Sequence, residues 1–204
     1  MQIAVIGAGA IGRTLSHRLA EAGEDVTVGV RSPEKAPRDE IDARAGIATV
    51  EDAIDRADAV IVAIPGAQVP GFVGDHAGRL DGKVVIDASN DLATGHAGSL
   101  NHVDAWAAQA PGASVARAFC SVGWENFAEP DFAGTTATLF WCGPDGAAGG
   151  TVAAIVRSVG LEPVRIGDLG AAGTLDGVAR LWFQLAFSEG MGRHLAFKLL
   201  RDAA

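Results

Sequence analysis

Short, continuous runs of apolar residues recur along the chain and predict β-strands at residues 3–6, 26–30, 60–64, 84–86 and 115–119. Apolar runs without polar alternation are typical of strands that are covered on both faces. Helical patterns lie between several of these runs, including residues 11–22 and a segment that a capping box opens at Thr49. Alternating strands and helices predict βαβ units, and therefore a doubly wound, mainly parallel α/β sheet.

The last part of the chain follows a different pattern. Two further strands are predicted at residues 138–142 and 163–166, around a helix near residues 147–159. From residue 167 apolar residues repeat at helical spacing, and a second helix is predicted after Gly190, with an apolar face made of Met191, Leu195, Leu199 and Leu200. These helices must cover either the core or a subunit interface. We therefore divide the chain into an α/β domain, residues 1–166, and a small C-terminal helical part, residues 167–204.

Composition and charge narrow the class of protein. The chain has 204 residues, 49% of them hydrophobic, which is enough for one substantial core. Its formal net charge of -9 argues against nucleic acid as a partner. The opening apolar run is too short for a signal peptide or a membrane span, and the two cysteines fit no zinc or redox motif. We therefore expect a cytoplasmic protein with no membrane association and no metal site.

Basic side chains are concentrated near the C-terminus. They either contact an anionic ligand or form a solvated helix face. The residues are Arg180, Arg193, Lys198 and Arg201.

A glycine-rich motif, Gly7-Ala8-Gly9-Ala10-Ile11-Gly12, lies between the first predicted strand and the first predicted helix. In a GxGxxG turn the first glycine permits the tight turn, the second lets a pyrophosphate approach the backbone, and the third allows close packing of helix on strand. The N–H groups and the dipole of the helix N-terminus then face the phosphates. In this context the motif predicts a Rossmann-type, dinucleotide-binding domain.

The end of the second strand distinguishes NAD from NADP. NAD-specific sites usually place a carboxylate there, which accepts hydrogen bonds from the ribose 2′-hydroxyl. This chain instead has Arg31 and Ser32 at the strand tip and Lys35 close behind. A charge-assisted hydrogen bond from Arg31 to a 2′-phosphate would contribute about 1.5–3 kcal/mol. We therefore predict NADP(H) as the cofactor.

Two later turns are expected at the same edge of the sheet, because ligands of doubly wound sheets bind beyond the carboxyl ends of the strands. Ile64 and Pro65 end one apolar run, and Ser89 and Asn90 follow the next. We expect these residues to border the ribose and the nicotinamide.

With these motifs in place, the chain resembles the coenzyme F420-dependent NADP oxidoreductase family almost from end to end. The resemblance rests on IAVIGAGAIG, VGVRSPEKA, DAVIVAIPGAQV, VVIDASND, VARAFCSVGWENFAEPDF, TLFWCGPD and LWFQLAFSEGMGRHLAFKLLR. The nucleotide motifs recur in many reductases, whereas the AFCSVGWENF stretch and the GMGR…AFKLL ending are more distinctive.

The resemblance implies a homodimeric NADP-dependent oxidoreductase whose C-terminal part adjoins the cofactor cleft. It implies that Ala8, Ala10 and Ile11 join the glycines around the pyrophosphate, and that Arg31, Ser32 and Lys35 hold the 2′-phosphate. It places a deazaflavin, coenzyme F420, near the nicotinamide, among Ile64, Pro65, Cys120, Ser121, Val122 and the turn that contains Met191. The chain departs from the family's usual pattern at Cys120, where characterised members tend to have histidine, and at Gly66, where a large aromatic residue is common.

Three functions remain open from the sequence. Hydride transfer between two bound cofactors needs no essential acid or base in the protein. An NADPH-dependent reductase of an organic carbonyl or imine would benefit from a proton donor, for which the candidates are His96, His102, Ser89 and Cys120. The third alternative is a non-catalytic NADP(H)-binding module. The glycine-containing stretch at residues 91–100 lies where a substrate loop could lie, which slightly favours an enzyme with a small-molecule substrate.

Overall fold

The computed structural model describes residues 1–92, 95 and 98–202. His96 lies outside the described residues. The strands are β1 (Gln2–Ile6), β2 (Asp25–Val30), β3 (Gly46–Thr49), β4 (Ala59–Val62), β5 (Val84–Asp87), β6 (Ser114–Arg117), β7 (Asp131–Phe132), β8 (Thr135–Thr136), β9 (Thr138–Trp141) and β10 (Glu162–Arg165). The α-helices are α1 (Ala10–Glu21), α2 (Val50–Arg56), α3 (Val69–Leu80), α4 (Val103–Gln109), α5 (Glu125–Ala128), α6 (Gly146–Ser158) and α7 (Ala172–Phe183).

Six parallel strands form the central sheet in the order β3-β2-β1-β4-β5-β6. The strand order reverses at β1, which pairs with β2 on one side and with β4 on the other. Such a reversal is the topological switch point of a doubly wound sheet, and ligands bind outside the carboxyl ends of the strands there. The predicted Rossmann-type fold is confirmed.

Helices cover both faces of this sheet, which explains the continuous apolar runs of the strands. Alternate residues of β1 enter opposite layers. Ile3 and Val5 belong to one buried cluster with Leu15 of α1, whereas Ala4 and Ile6 belong to another with Ile54 of α2. At the start of α2 the Thr49 side chain accepts a hydrogen bond from the Asp52 backbone N–H, as the capping pattern predicted.

The sheet differs from the prediction at three places. The run predicted at residues 60–64 is a strand only as far as Val62. Strand β3 was not predicted, because its four residues are only half buried at the sheet edge and contain no continuous apolar run. The run predicted at residues 115–119 is a strand only as far as Arg117. Two residues later Phe119 adopts a φ of 61°, in the left-handed region that bulky residues rarely occupy, and the chain turns away from the sheet.

The C-terminal part is helical only in its first half. Helix α7 and the π-helical turn Gln184–Ser188 lie where the first helix of this part is predicted. The prediction of a second helix after Gly190 is wrong. Gly190 and Gly192 turn the chain with positive φ angles of 69° and 83°. The chain then runs beside β9, where the Thr138 N–H donates to the Phe197 carbonyl at 2.8 Å.

This segment completes the edge of a separate two-stranded parallel sheet made of β9 and β10. Trp182 of α7 belongs to the same buried cluster as Ile3 of β1. The division of the chain after residue 166 stays a prediction. Among the described residues, no helix is long and apolar enough to cross a membrane.

Candidate functional site

The three glycines of the first turn face different surroundings. Gly7 has a φ of 107°, and a Cβ atom there would lie 2.5 Å from the Ala63 carbonyl oxygen. A Cβ atom on Gly12 would lie 2.0 Å from the Gly7 carbonyl oxygen. A Cβ atom on Gly9, in contrast, would meet no protein atom within 4 Å. Gly7 and Gly12 therefore allow the turn to fold, while Gly9 keeps its outer side open to a ligand.

A cleft of about 1120 Å³, which we call the first compartment, runs from this turn past the ends of β1 and β2. Arg31, Ser32 and Lys35, which the sequence analysis assigns to a 2′-phosphate, are among its lining residues. Apolar and aromatic side chains form another part of the lining. They include Val50, Pro65, Phe72 and His76.

A smaller cavity of about 410 Å³, the second compartment, adjoins the first. The two compartments share lining residues at the glycine turn and after β4, which are Gly9, Ala63, Ile64 and Pro65. One extended ligand could therefore occupy both. The remaining lining of the second compartment is Ala10, Ile11, Ala88, Ser89, Asn90, Leu92, Cys120, Ser121, Val122, Gly123, Trp124, Ala179, Trp182, Phe183 and Arg193.

The structure brings together most of the residues predicted for the site. Ala8 lines the first compartment, whereas Ala10, Ile11, Ser89, Asn90 and residues 120–122 line the second. Gly12 is buried beneath the turn and lines neither. Met191 also lines neither compartment, and its side chain is 61% exposed. The binding roles of all these residues stay predictions.

Residues 120–122 reach the cavity because of the unusual backbone at Phe119. The Phe119 ring is fully buried and packs edge-on against Phe127, with 5.4 Å between the ring centroids. This packing holds a left-handed residue that would otherwise be unfavourable by about 1–3 kcal/mol. Cys120 and Ser121 follow this turn directly and line the second compartment.

Cys120 is a poor candidate for a proton donor or a nucleophile. Its thiol is buried, and burial raises its pKa to about 11, although the nearby positive charge of Arg117 partly opposes this shift. The group therefore stays a neutral thiol near pH 7, and its conjugate base is not accessible.

Ser89 is oriented by Asp87 at the end of β5. The Ser89 hydroxyl donates to Asp87 Oδ1 at 2.5 Å, and the Ser89 backbone N–H donates to the same oxygen at 2.9 Å. Because its proton is directed at this carboxylate, the hydroxyl offers lone pairs to other groups. Ser89 is thus placed to accept a hydrogen bond rather than to donate a proton.

A buried charge cluster behind Ser89 and Asn90 was missed by the sequence analysis. Arg117 is fully buried, lies 3.1 Å from Asp176 of α7 and 3.7 Å from Asp87, and donates to the Asn90 side-chain oxygen at 3.2 Å. Two signals could have found it. Arg117 interrupts an apolar strand, and Asp176 occupies a buried position in the apolar stripe of α7. Charges at such positions are nearly always paired.

The cluster also fixes one side of the cleft. Asp176 accepts hydrogen bonds from the Leu100 backbone N–H at 3.1 Å and from the Asn101 side-chain amide at 2.7 Å. The Asn90 amide in turn donates to the Cys120 carbonyl at 2.6 Å. Through these bonds α7, β6 and the turn after β5 hold one another in place around the second compartment.

Gly66 stands where the resembled family commonly has a large aromatic residue, and the structure shows a steric reason for the glycine. A Cβ atom on Gly66 would lie 2.5 Å from backbone atoms of both Asn90 and Asp91. The turn after β4 therefore rests directly on the turn after β5, and there is no room for a larger side chain at this position.

Comparison with known proteins agrees with this geometry. The family model described as NADP oxidoreductase coenzyme F420-dependent matches residues 2–91, a span that contains the glycine turn, Arg31 and the turns after β4 and β5. The resemblance expected from the sequence is confirmed for this part of the chain. No curated protein matches the sequence significantly.

Two solved structures are similar over nearly the whole chain. A candidate F420-dependent NADP-reductase from Arthrobacter sp. FB24 has 27% identity and a TM-score of 0.85, over 98% of this chain and 100% of its own. A hypothetical protein, SMa0349, from Sinorhizobium meliloti has 27% identity and a TM-score of 0.74, over 99% of this chain and 96% of its own.

An imine reductase from Streptomyces aurantiacus shares the fold, at 22% identity and a TM-score of 0.70 over 93% of this chain and 64% of its own. The sheet order, the glycine turn and the family match together define the class of the protein. The chain is an NAD(P)-dependent oxidoreductase with a Rossmann fold.

Proposed function

We propose that this chain transfers hydride between NADP(H) and a deazaflavin, coenzyme F420. The observation that carries the proposal is the chemistry of the second compartment. It adjoins the glycine turn and is lined by apolar and aromatic groups, and neither Cys120 nor Ser89 is arranged to deliver a proton. The family match over residues 2–91 supports the same reaction.

In this proposal the first compartment holds the adenosine end of NADP(H). Arg31 and Lys35 are exposed at its rim, beside the half-buried Ser32. Their two positive charges suit a 2′-phosphate, since a guanidinium and an ammonium both bind phosphate oxygens well. The pyrophosphate would lie over Gly9, at the N-terminus of α1, where backbone N–H groups have no partner within the helix.

The second compartment would hold the nicotinamide and the second substrate. Ser89 and Asn90 can bind the carboxamide of the nicotinamide, because the Ser89 hydroxyl presents lone pairs and the Asn90 amide is held by Arg117 and by the Cys120 carbonyl. Bound NADPH would supply the hydride, and the deazaflavin would take it up together with a proton from solvent. The protein would contribute close placement of the two rings.

The same features weigh against a carbonyl or imine reductase. Such an enzyme gains from a proton donor close to the reacting atom. His102 lies 3.4 Å from Asp91 but does not line the second compartment. At 22% identity the solved imine reductase is similar to this chain in its fold only, so reduction of a carbonyl or imine is the alternative function.

One experiment separates the candidate functions. The protein is mixed with NADPH and oxidised deazaflavin, and the absorbance bands of both are followed together. We expect equimolar loss of both bands, and a large decrease in rate for Arg31→Ala at limiting NADPH. NADPH oxidation by a panel of carbonyls and imines, without transfer to the deazaflavin, would indicate the alternative enzyme. Binding of NADPH without turnover of any substrate would indicate a non-catalytic module.

We also propose that the chain forms a homodimer through its C-terminal part. Several large apolar side chains are exposed there, which are Leu181, Phe187, Met191, Leu199 and Leu200. Large exposed apolar side chains can mark an interface where they form a contiguous patch. Light scattering should give twice the mass of the chain, and Leu181→Glu combined with Phe187→Glu should give the monomer. A monomeric wild type at all concentrations would refute the proposal.

A further inference from the structure

The basic residues near the C-terminus have separate surroundings in the structure. Arg180 donates to the Gly98 carbonyl at 2.6 Å, and Lys198 pairs with Glu162 at 2.6 Å on the edge of the small sheet. Arg193 alone of these four lines the second compartment. An anionic ligand in this compartment would therefore meet Arg193.

Arg193 is held at the mouth of the compartment by several contacts. Its guanidinium bonds to both carboxylate oxygens of Glu125, with 3.2 Å between Nη2 and Oε2. It also lies over the rings of Trp182 and Phe187, with 5.6 Å and 5.4 Å to the ring centroids. The Asn126 side-chain amide donates to the Arg193 backbone carbonyl at 3.0 Å. The position of the charge is thus fixed before a ligand binds.

The guanidinium keeps donors for a second acceptor. The two bonds to Glu125 use part of the five N–H donors of an arginine, and the side chain is 43% exposed. The aromatic rings beneath it exclude water from one face, which strengthens its interaction with an anion at the other. Guanidinium groups suit carboxylates and phosphates because they can bond to two oxygens at once.

We propose that the second substrate carries an anionic side chain, and that Arg193 binds its carboxylate or phosphate group at the mouth of the second compartment. This inference rests on the proposed function, since it concerns the second substrate of the same site. Among the described residues that line the compartment, Arg193 supplies the positive charge. The ring of the substrate would lie deeper, against the buried side chains of Val122 and Trp182.

Glu125 and Arg193 should have opposite effects on the affinity for an anionic substrate. Its carboxylate shares the guanidinium with the incoming anion and repels that anion. Removing the negative charge of Glu125 should therefore tighten binding of the anionic substrate, whereas removing the positive charge of Arg193 should weaken it.

The test compares two deazaflavins with the same ring system. One carries the native side chain with phosphate and carboxylate groups, and the other ends in a neutral ribityl alcohol. We expect Arg193→Met to raise KM for the anionic compound roughly 10-fold or more, with KM for the neutral compound and Kd for NADPH unchanged. Glu125→Gln should lower KM for the anionic compound a few-fold.

Arg79→Met is the matched control. Arg79 is also an exposed arginine paired with a carboxylate, 2.5 Å from Asp55, but it lines neither compartment. This variant changes the net charge by the same amount and should leave both KM values unchanged. Circular dichroism and NADPH binding show that each variant is folded.

The outcomes separate the two proposals. Equal changes in KM for both deazaflavins, or none in the Arg193 variant, would overturn the anion site while leaving hydride transfer intact. No turnover of either compound by the wild type would overturn the proposed function. In that case equilibrium binding of the same two compounds, followed by tryptophan fluorescence, still decides whether Arg193 favours the anionic one.

Discussion

Arg117 and Asp176 form an ion pair that is fully enclosed by the protein, with 3.1 Å between Arg117 Nη2 and Asp176 Oδ1. The pair joins the last strand of the central sheet to helix α7. Arg117 also donates a hydrogen bond to the side-chain oxygen of Asn90, which lines the second compartment. This buried contact therefore links helix α7 to the lining of the second compartment.

Removing the charge of Arg117 should lower the stability of the protein more than removing the charge of Asp176. The cluster holds one arginine and two aspartates, so Arg117→Met leaves two carboxylates buried without a counter-charge. We expect it to lower the free energy of unfolding by about 3–5 kcal/mol. Asp176→Asn leaves Arg117 with Asp87 and should cost less, about 1–3 kcal/mol. Urea denaturation measures both values, and an equal or larger loss for Asp176→Asn would contradict this account.

Alanine substitutions at two glycines of the first turn should have different effects, one on NADPH binding and the other on stability. Gly9→Ala adds a methyl group where no protein atom lies within 4 Å, so it should leave the melting temperature nearly unchanged. Because this methyl group projects into the space for the pyrophosphate, NADPH affinity should fall at least about 10-fold.

Gly12→Ala should behave in the opposite way, since its methyl group would lie 2.0 Å from the Gly7 carbonyl oxygen. We expect a loss of stability of about 1–3 kcal/mol or more. Thermal unfolding and calorimetric titration on both variants test the pair. A Gly9→Ala protein with wild-type affinity for NADPH would place the pyrophosphate elsewhere.

The preference for NADPH should depend on Arg31. Arg31→Ala should weaken NADPH binding by roughly 10- to 150-fold, the equivalent of one charge-assisted hydrogen bond. NADH binding should not change, because NADH has no 2′-phosphate. Arg38→Ala removes the same charge nearby without altering the lining of the first compartment and serves as the control. Equal affinities of the wild type for NADPH and NADH would remove the basis of the prediction.

Cys120 should make stability depend on pH in the alkaline range. Its pKa is raised to about 11 in the folded protein, so between about pH 9 and 11 the unfolded chain loses the thiol proton while the folded chain keeps it. Stability should fall by up to about 1.4 kcal/mol per pH unit in this range.

Urea denaturation of wild type and Cys120→Ala at about pH 8 and about pH 10 isolates this effect. The variant should show a shallower loss with pH than the wild type. It should also retain turnover within a few-fold near neutral pH, because the thiol donates no proton in the proposed reaction. Identical pH dependence in the two proteins would show that the thiol titrates normally.

The fold was predictable because its signals are local. The continuous apolar runs, the glycine turn and the capping pattern at Thr49 each depend on a few neighbouring residues, and the structure has the corresponding strands, turn and helix start. Strand β3 lacked such a signal because an edge strand is covered on fewer sides. The helix predicted after Gly190 failed for another reason. Residues 191–200 do carry apolar side chains, but Gly190 and Gly192 turn the chain and the segment pairs with β9 instead.

The site was less predictable where it depends on contacts between distant segments. Arg31 and Ser89 follow from their place at strand ends. The sequence offers Arg193 only as one of four basic residues near the C-terminus. That it lines the cleft depends on contacts such as the one with Glu125, 68 residues earlier in the chain. The placement of Cys120 likewise depends on the left-handed turn at Phe119, which no local composition signals.

The close contact at Gly66 determines which parts of the cleft can move independently. The turns after β4 and β5 touch without clearance, so a displacement of one must carry the other with it. Both turns also continue directly from strands in the middle of the sheet. We therefore expect the protein to adapt to ligands of different size by motion of the exposed side chains that line the second compartment, Leu92 and Trp124. Relaxation-dispersion measurements should detect exchange at these two side chains, with the paired turns behaving as one rigid unit.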